Sequence, residues 1–213
     1  MESPLKMARK TAQQAEYIRL AILDAGLKVF ARDGFYATSL DTIAKEAYVS
    51  RGEIYWHYSG KFSLLSEIFS TSVLPLENFA DPKETLEENL TRLKSAAINT
   101  KSNHHAHLLS TLIYSNSDAL PIIVDRRKVS LSRFDQQTSL ILQKAKDCGQ
   151  VKPEMDIKKV VRWLHCCLIG IIMEGIDQIH IAEAVEATIL LFKQWITPRS
   201  NSEPPLLFKS HRQ

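Results

Sequence analysis

Apolar residues recur at helical spacing along most of the chain. Ile18, Ile22, Ala25 and Val29 share one face of a predicted helix that begins at Ala12. Similar stripes predict helices over residues 40–47, 50–58, 61–74, 82–98, 107–115, 121–146, 157–177 and 181–195. No run alternates apolar and polar residues as a strand does. The pattern therefore predicts an all-α fold of about nine helices.

Several of these helices carry start signals. Thr38-Ser39-Leu40-Asp41 places a hydroxyl three residues before a carboxylate, which is the capping-box pattern, and Ser50-Arg51-Gly52-Glu53 repeats it. Asp81-Pro82 is a further start signal. Tyr48 and Val49 lie between the two boxed helices. Two short capped helices with so short a connection predict a helix-turn-helix.

The composition agrees with a helical protein, and the low net charge argues against an extended nucleic-acid-binding surface. The 213 residues include 7 glycines and 8 prolines, which is few for a fold rich in hairpins. Lys and Arg number 27 and Asp and Glu 24, so the net charge is +3. A protein that coats a polyanion is far more basic. Any nucleic-acid contact must therefore be confined to a local surface.

The cysteines and the apolar stretches indicate a cytoplasmic protein with no membrane contact. Cys148, Cys166 and Cys167 are odd in number and partly adjacent, which does not suit a disulfide framework. The basic N-terminus lacks the apolar segment of a secretory signal. Trp163–Met173 is about half of the ~20 apolar residues that cross a bilayer, so it predicts a buried helix.

The helix over residues 50–58 carries side chains suited to a DNA groove. Ile54 and Tyr58 share one side and are expected to face the core, while Arg51 and Tyr55 project together from the other. Arginine can donate two hydrogen bonds to guanine, and tyrosine offers a hydroxyl and an apolar ring to a phosphate or a thymine methyl. This segment is therefore the predicted DNA-reading element.

The segments of residues 12–74 form one spaced pattern. They are Phe30-Ala31-Arg32-Asp33-Gly34, Thr38-Ser39-Leu40 with Ile43-Ala44, and Val49-Ser50-Arg51-Gly52 followed by Ile54-Tyr55-Trp56-His57-Tyr58, Lys61 and Leu64. This pattern resembles the N-terminal DNA-binding domain of the TetR family of transcriptional repressors. The order Arg-Gly-x-Ile-Tyr-Trp-His is most similar to the subgroup that represses multidrug-efflux pump genes. The rest of the chain agrees with the family in length and helical layout.

The resemblance implies roles for individual residues. It makes residues 50–56 the recognition helix, with Arg51 and Tyr55 as base readers. The residues implied to bind phosphate are Thr38, Ser50, Trp56, His57 and Lys61. The first two also stand at helix starts, whose free amides attract phosphate on physical grounds.

Two residues depart from the family pattern. Tyr48 stands where the family usually has glycine, so the turn must be strained or altered. Glu53 occupies a position that is usually small or hydroxylated. Its carboxylate would weaken DNA binding unless it turns back to cap Ser50 or accepts a hydrogen bond from cytosine.

The two most apolar predicted helices, over 157–177 and 181–195, lie near the carboxyl end. The first is apolar on more than one face, which requires burial on both sides and fits a four-helix interface between two subunits. The resemblance implies the same homodimer and an inducer pocket in the C-terminal helices. The residues expected in the dimer interface are Leu164, Leu168, Ile171, Ile189 and Phe192. Those expected in the inducer pocket are Phe69, His107, Phe134, Trp163 and Glu174.

The chain divides into five predicted regions. They are a flexible basic arm (1–11), a helix-turn-helix domain (12–60), a connecting helix (61–74), a ligand-binding and dimerisation domain (75–197) and a disordered tail (198–213).

Metals and cofactors are not expected. His104 and His105 are adjacent, as are His165, Cys166 and Cys167. Neighbouring residues on a helix point apart and do not converge on one ion. No nucleophile elbow, phosphate-binding loop or metal pair supports catalysis, so an all-helical enzyme is the weaker alternative.

These observations and the resemblance together predict a homodimeric, ligand-responsive repressor of a palindromic operator. Two recognition helices about 34–36 Å apart meet successive major grooves. A small apolar or amphipathic inducer is expected to move the helix over 61–74 and release the DNA. The expected target is a multidrug-efflux or related transport gene. An architectural or activating regulator of the same fold is the alternative.

Overall fold

A computed structural model describes residues 4–115, 120–174 and 178–198. Within these ranges the chain forms nine α-helices and a 3-10 turn, with no strand, and the predicted all-α fold is confirmed. The helices are α1 (Pro4–Asp33), α2 (Leu40–Ala47), α3 (Arg51–His57), α4 (Lys61–Thr71), α5 (Leu86–Ser102), α6 (His104–Tyr114), α7 (Pro121–Asp147), α8 (Ile157–Met173) and α9 (Gln178–Ile196). The 3-10 turn, Pro75–Glu77, lies between α4 and α5.

α1 begins earlier than the sequence predicts. The helix starts at Pro4 and not near Ala12, so residues 4–11 continue α1 instead of forming a separate arm. Proline is favourable in the first turn of a helix because its missing N–H has no helical partner there. Residues 1–3 lie outside the described part of the chain, as do residues 199–213 of the predicted tail.

α5 begins at Leu86 and not at residue 82 as the sequence predicts. A complete capping box, formed by Thr85 and Glu88, starts the helix in place of the single cap predicted at Asp81. The Thr85 amide donates to the Glu88 carboxylate at 2.7 Å, and the Glu88 amide donates to the Thr85 hydroxyl at 3.3 Å. This box satisfies two free amides of the first turn. Asp81 accepts from the Lys83 amide in the turn before the helix and does not cap α5.

The N-terminal helices share one apolar core. Its fully buried members include Ile22, Val29, Ile43, Ile54 and Leu64. Tyr58 is buried in the same core, as predicted. Side chains from α6 and from the start of α7 join this core, so the N-terminal helices pack directly on the C-terminal ones.

A second core lies among α5, α7, α8 and α9. Phe134 of α7, Leu164 and Leu168 of α8, and Val185 and Phe192 of α9 are buried in it. Among the described residues, no helix is both long enough and apolar enough to cross a membrane.

Candidate nucleic-acid interface

A complete capping box starts α3. The Ser50 amide donates to the Glu53 carboxylate at 2.7 Å, and the Glu53 amide donates to the Ser50 hydroxyl at 3.2 Å. The backbone hydrogen bond from Ser50 lowers the pKa of the Glu53 carboxyl. Of the two roles considered for Glu53, the structure therefore shows the cap. Its carboxylate turns back from the helix face and stabilises the helix start.

Arg51 and Tyr55 lie together on the exposed side of α3. An Arg51 Nη atom is 3.1 Å from the Tyr55 hydroxyl, and the guanidinium carbon is 5.4 Å from the centre of the Tyr55 ring. A second Nη atom lies 3.2 Å from the Asp41 carboxylate of α2. The Arg51 side chain is 56% exposed. Arg51 and Tyr55 are thus exposed as one unit, and Asp41, which the sequence suggested only as a capping carboxylate, contacts Arg51.

Trp56 and His57 form the next part of this surface. Trp56 is 73% exposed, and its ring lies edge-on to His57 with centroids 4.5 Å apart. Both residues line an open groove of about 500 Å³ against the first half of α1, including Ala15 and Ile18. The exposed indole of Trp56 thus adds to the exposed surface of α3.

The turn between α2 and α3 is strained, as the sequence predicts. Tyr48 has φ 55° and ψ 38°, which is the left-handed conformation. Its amide donates to the carbonyls of Ala44 and Lys45, so the turn is hydrogen-bonded despite the strain. The Tyr48 side chain is 96% exposed.

Thr38 does not occupy the predicted position. Its side chain is 3% exposed, and its hydroxyl donates to the Gly34 carbonyl at 2.6 Å. The N-cap of α2 is Ser39, whose hydroxyl accepts from the Thr42 amide at 3.0 Å. The prediction that Thr38 caps α2 is therefore wrong, and the buried hydroxyl of Thr38 does not support its predicted contact with phosphate. Ser39 is the exposed hydroxyl at this helix start.

Lys61 also turns inward. Its ammonium donates to the carbonyls of Phe35 at 2.8 Å, Tyr36 at 3.4 Å and Thr38 at 2.5 Å. The predicted phosphate-binding lysine is therefore engaged with the loop between α1 and α2.

The five residues predicted for the inducer pocket do not meet. Phe69 lies in the N-terminal core and Phe134 in the C-terminal core. Trp163 is 40% exposed and packs on the rings of Phe192 and Trp195 at the outside of α8 and α9. Glu174 is exposed after the end of α8, and its backbone carbonyl accepts from Lys101. His107 is half-buried on α6. Trp163 and Glu174 lie on the surface of the protomer, and the assignment of these five residues to a pocket stays a prediction.

A buried polar group lies between α6, α7 and α8 instead. The Tyr114 hydroxyl donates to Ser130 at 3.0 Å and lies 3.4 Å from Nε2 of His165. The His165 and Phe134 rings are 4.8 Å apart. Burial lowers the pKa of His165 to about 4 and raises that of Tyr114. The sequence signal for this group was the spacing of four between polar or aromatic residues on α7, including Ser130, Phe134 and Thr138.

A buried ion pair joins this region to α4. Arg126 of α7 lies 2.7 Å from the Glu77 carboxylate and donates to the backbone carbonyl of Ser72, the C-cap of α4, at 3.1 Å. Arg133 approaches the other oxygen of Glu77 at 2.8 Å. Both Arg126 and Glu77 are almost fully buried. The end of α4 is therefore attached to α7 through one charged joint.

The residues predicted for a dimer interface fall into two groups. Leu164, Leu168 and Phe192 are fully buried inside the protomer, so the prediction is wrong for them. An interface side chain must reach the surface of its own chain. Ile171 and Ile189 are half-buried and stay predictions. The large apolar residues that are exposed in the described parts of α8 and α9 include Trp163, Leu190, Leu191 and Trp195.

Within the described ranges, no three His, Cys, Asp or Glu side chains come together in a group that could hold a metal ion.

The fold and the α2–α3 surface define a helix-turn-helix transcription regulator.

Comparison with known proteins gives the family. Residues 22–68 match the family described as bacterial regulatory proteins, tetR family. The chain is 31% identical over 171 residues to the HTH-type transcriptional regulator SrpR of Pseudomonas putida, covering 80% of each protein. It is 34% identical over 159 residues to the HTH-type transcriptional regulator AcrR of Shigella flexneri, covering 68% of this chain and 71% of AcrR. The chain belongs to the TetR family.

A solved structure shares the fold over most of the chain. SmeT, the repressor of the Stenotrophomonas maltophilia multidrug efflux pump SmeDEF, aligns with a TM-score of 0.64 at 20% identity, covering 81% of this chain and 89% of SmeT. A SmeT–triclosan complex aligns with a TM-score of 0.66 at 18% identity, covering 88% and 98% of the two chains.

Proposed function

We propose that the protein is a homodimeric, ligand-responsive repressor that acts in the cytoplasm on a palindromic operator. The observation that carries this proposal is the exposed Arg51–Tyr55 pair on the short, capped α3. A guanidinium beside a phenol on a projecting helix matches the donor and acceptor pattern of a major groove. Arg51 and Tyr55 read bases in this proposal. Ser50, Trp56 and His57 contact phosphates. Ser39, the N-cap of α2, contacts phosphate instead of Thr38.

The dimer forms through the outer faces of α8 and α9. Trp163, Leu190, Leu191 and Trp195 expose apolar surface there, and two of them are tryptophans. Aromatic side chains are enriched at protein interfaces, and a contiguous exposed apolar patch marks a contact surface. Joining two copies about a two-fold axis places one recognition helix in each of two successive major grooves, about 34–36 Å apart.

The inducer binds beside the buried polar group of α6, α7 and α8. Phe134 supplies an aromatic wall, while Tyr114, Ser130 and His165 supply hydrogen-bonding groups. His165 is neutral near pH 7 because its pKa is about 4. These groups suit a small amphipathic molecule with an aromatic part and one or two polar groups.

The signal passes to α4 through Arg126. This side chain holds the C-cap carbonyl of α4 and is itself held by Glu77. A ligand that displaces α7 therefore moves the end of α4 and, with it, the helices packed on α4. Shifting the protein from 1:99 to 99:1 between its DNA-bound and released forms needs roughly 5.5 kcal/mol of differential inducer affinity.

The proposed target is a multidrug-efflux or related transport gene. SmeT, which has the same fold, represses the efflux pump SmeDEF and is seen in complex with triclosan. These facts concern SmeT and support, by similarity, an efflux gene and an aromatic inducer for this chain.

Nuclease footprinting of the DNA around the protein's own gene tests the proposal. We expect one protected palindrome beside a transport gene, and loss of protection when triclosan is added as the probe ligand. Protection scattered over many sites, without a palindrome, would favour an architectural regulator. A palindrome beside a gene unrelated to transport would overturn the efflux assignment while leaving the repressor in place.

A further inference from the structure

Arg126 places a guanidinium in the interior of the protein with part of its hydrogen-bonding capacity unused. Its side chain is 6% exposed, and one Nη atom lies 2.7 Å from the Glu77 carboxylate and donates to the Ser72 carbonyl. None of the described groups accepts a hydrogen bond from the other Nη atom, which is buried. That atom carries two of the five N–H donors of the guanidinium. Native structures rarely leave a buried donor unpaired, so a further acceptor is expected at this nitrogen.

The charges around this nitrogen are not balanced. Arg126 and Arg133 both pair with the single carboxylate of Glu77, so these three groups together carry one excess positive charge. His165 is uncharged near pH 7, because burial lowers its pKa to about 4. Buried charges are normally paired, and a hydrogen bond to an anion is about twice as strong as one between neutral groups. The acceptor expected at Arg126 is therefore an anion.

The face of α7 that carries Arg126 also carries residues of the buried polar group. Arg126, Ser130 and Phe134 are spaced four residues apart and are all buried. The Tyr114 hydroxyl donates to Ser130 at 3.0 Å. Burial raises the pKa of Tyr114, and the nearby positive charge of Arg126 acts in the opposite direction. The free Nη donor thus belongs to a side chain that neighbours the Tyr114–Ser130 pair.

The same face offers an aromatic surface further along α7. Each step of four residues advances about 6 Å along the helix, so Phe134 lies about 12 Å beyond Arg126. The Phe134 ring is 4.8 Å from the His165 ring and 5.9 Å from the Phe79 ring. Aromatic rings pack favourably on one another in offset or edge-on arrangements. An elongated molecule can therefore place an anion at Arg126 and a ring at Phe134.

We propose that the inducer of this protein is an elongated aromatic carboxylate, whose anion pairs with Arg126 and whose ring packs on Phe134. This inference rests on the proposed ligand-responsive repressor and names the chemical class of its inducer. The bound carboxylate competes with Glu77 and with the Ser72 carbonyl for the guanidinium. Arg126 then loosens its hold on the end of α4, so the ligand itself starts the movement that releases the DNA.

Two probes of similar shape test for the anion. Biphenyl-4-carboxylate carries the charge, and biphenyl-4-carboxamide replaces it with a neutral group of nearly the same size. We expect calorimetric titration of the full-length protein at pH 7 to show about tenfold tighter binding of the carboxylate, which is about 1.4 kcal/mol. Equal affinities, tighter binding of the amide, or no binding of the carboxylate up to about 1 mM would overturn the proposal.

Two arginine variants locate the anion. Arg126→Met should bring the affinities of the two probes within about twofold of each other, because the charged donor is gone. Arg133→Met is the matched control. It removes the same charge from the same carboxylate and leaves the buried Nη atom of Arg126 in place, so it should keep the preference for the carboxylate. A preference that persists in Arg126→Met, or that disappears in both variants, would overturn the pairing with Arg126.

Phe134→Leu locates the ring and keeps the test decisive if Arg126→Met fails to fold, because it leaves the ion pairs intact. It should weaken the binding of both probes about fivefold and retain the preference for the carboxylate. Unchanged affinities for both probes would overturn the proposed site.

These titrations contain no DNA, so the inference and the proposed function can fail separately. A wild type that prefers the carboxylate but binds no operator would refute the repressor and leave the ligand assignment in place. A wild type that triclosan releases from the operator, yet that shows no preference between the two probes, would refute the ligand assignment alone.

Discussion

Tyr48 holds a backbone conformation that costs a residue with a side chain roughly 1–2 kcal/mol. Its side chain is almost fully exposed, so packing does not offset this cost. Asparagine tolerates the left-handed region better than tyrosine. We expect Tyr48→Asn to raise the free energy of unfolding by about 0.5–1 kcal/mol, measured by urea denaturation.

Tyr48→Ala is the control for this prediction. Alanine keeps the strain because it has a Cβ, so its unfolding free energy should stay near that of the wild type. An equal gain from alanine and asparagine would show that removing the exposed ring, and not relieving the backbone, stabilises the protein.

His165 makes the stability of the protein depend on pH. Burial lowers its folded pKa to about 4, whereas an unfolded histidine titrates near 6.5. The unfolded state therefore binds the proton more readily. The stabilisation is complete above about pH 6.5 and is lost as the pH falls towards 4, by on the order of 3 kcal/mol.

Urea midpoints between pH 7 and pH 4.5 measure this dependence. The wild type should lose stability more steeply over this range than His165→Gln, whose side chain does not titrate. His104→Gln, at an exposed position, should follow the wild type. Parallel curves for the wild type and His165→Gln would show that His165 is not buried in its neutral form.

Short-range sequence spacing could predict the residues of α3. Ser50 with Glu53, and Arg51 with Tyr55, lie three and four residues apart, so the helix itself brings them together. The Lys61 contacts could not be predicted in this way, because they join residues 23 to 26 positions apart. Thr38 was misassigned because two adjacent hydroxyls fit the cap equally well, and only the packing of the loop decides between them.

At the scale of elements, Arg126 is the joint between α7 and α4. Arg126→Met removes the hydrogen bond to the Ser72 carbonyl and leaves Glu77 paired with Arg133. We expect operator binding to persist and the triclosan concentration needed for release to rise at least tenfold. Fluorescence anisotropy of labelled operator, titrated with triclosan, measures both quantities.

Arg133→Met is the matched control, because Arg133 contacts the Glu77 carboxylate but makes no such bond to the end of α4. It should respond to triclosan like the wild type. An unchanged response in Arg126→Met would remove this joint from the signalling path. Urea denaturation accompanies the titration, since breaking a buried ion pair costs about 3–5 kcal/mol.

The helices themselves were largely predictable, because apolar spacing and capping residues act locally. The first residue of each helix was harder to predict. α1 extends back to Pro4 because its first residues favour a helix, although they lack the apolar stripe on which the prediction relied. α5 starts at Leu86 because the Thr85–Glu88 box satisfies more backbone amides than Asp81 does.

At the scale of the whole molecule, the proposed operator binding depends on the proposed dimer. Leu191 is 59% exposed on α9, next to the other apolar residues of the proposed interface. Leu191→Glu places a charge in that interface and should yield monomers in sedimentation experiments at micromolar concentration. The monomer should lose at least about a hundredfold in operator affinity, which is about 2.8 kcal/mol, because half of the contacts are gone.

Leu140→Glu controls for the loss of an exposed leucine, because Leu140 is similarly exposed on α7. It should remain dimeric and bind the operator normally. A dimeric Leu191→Glu protein would place the interface elsewhere.

The sequence could not tell which face of α8 meets the second subunit. α8 is apolar over much of its circumference, and periodicity alone does not separate the side packed on its own protomer from the side packed on a partner. Leu164 and Leu168 were therefore placed on the wrong side. In the described structure those two leucines are buried in their own protomer and Trp163 is exposed, which supports the proposed interface on the Trp163 side.

The affinity of Arg51→Ala for operator and non-operator duplexes tests the central claim most directly. The claim is that α3 reads a specific sequence through Arg51. We predict a loss of about 1–3 kcal/mol on the operator and a much smaller loss on an unrelated duplex of equal length. Arg92→Ala, an exposed arginine of α5, should change neither. Equal affinities of Arg51→Ala and the wild type for the operator would contradict the account.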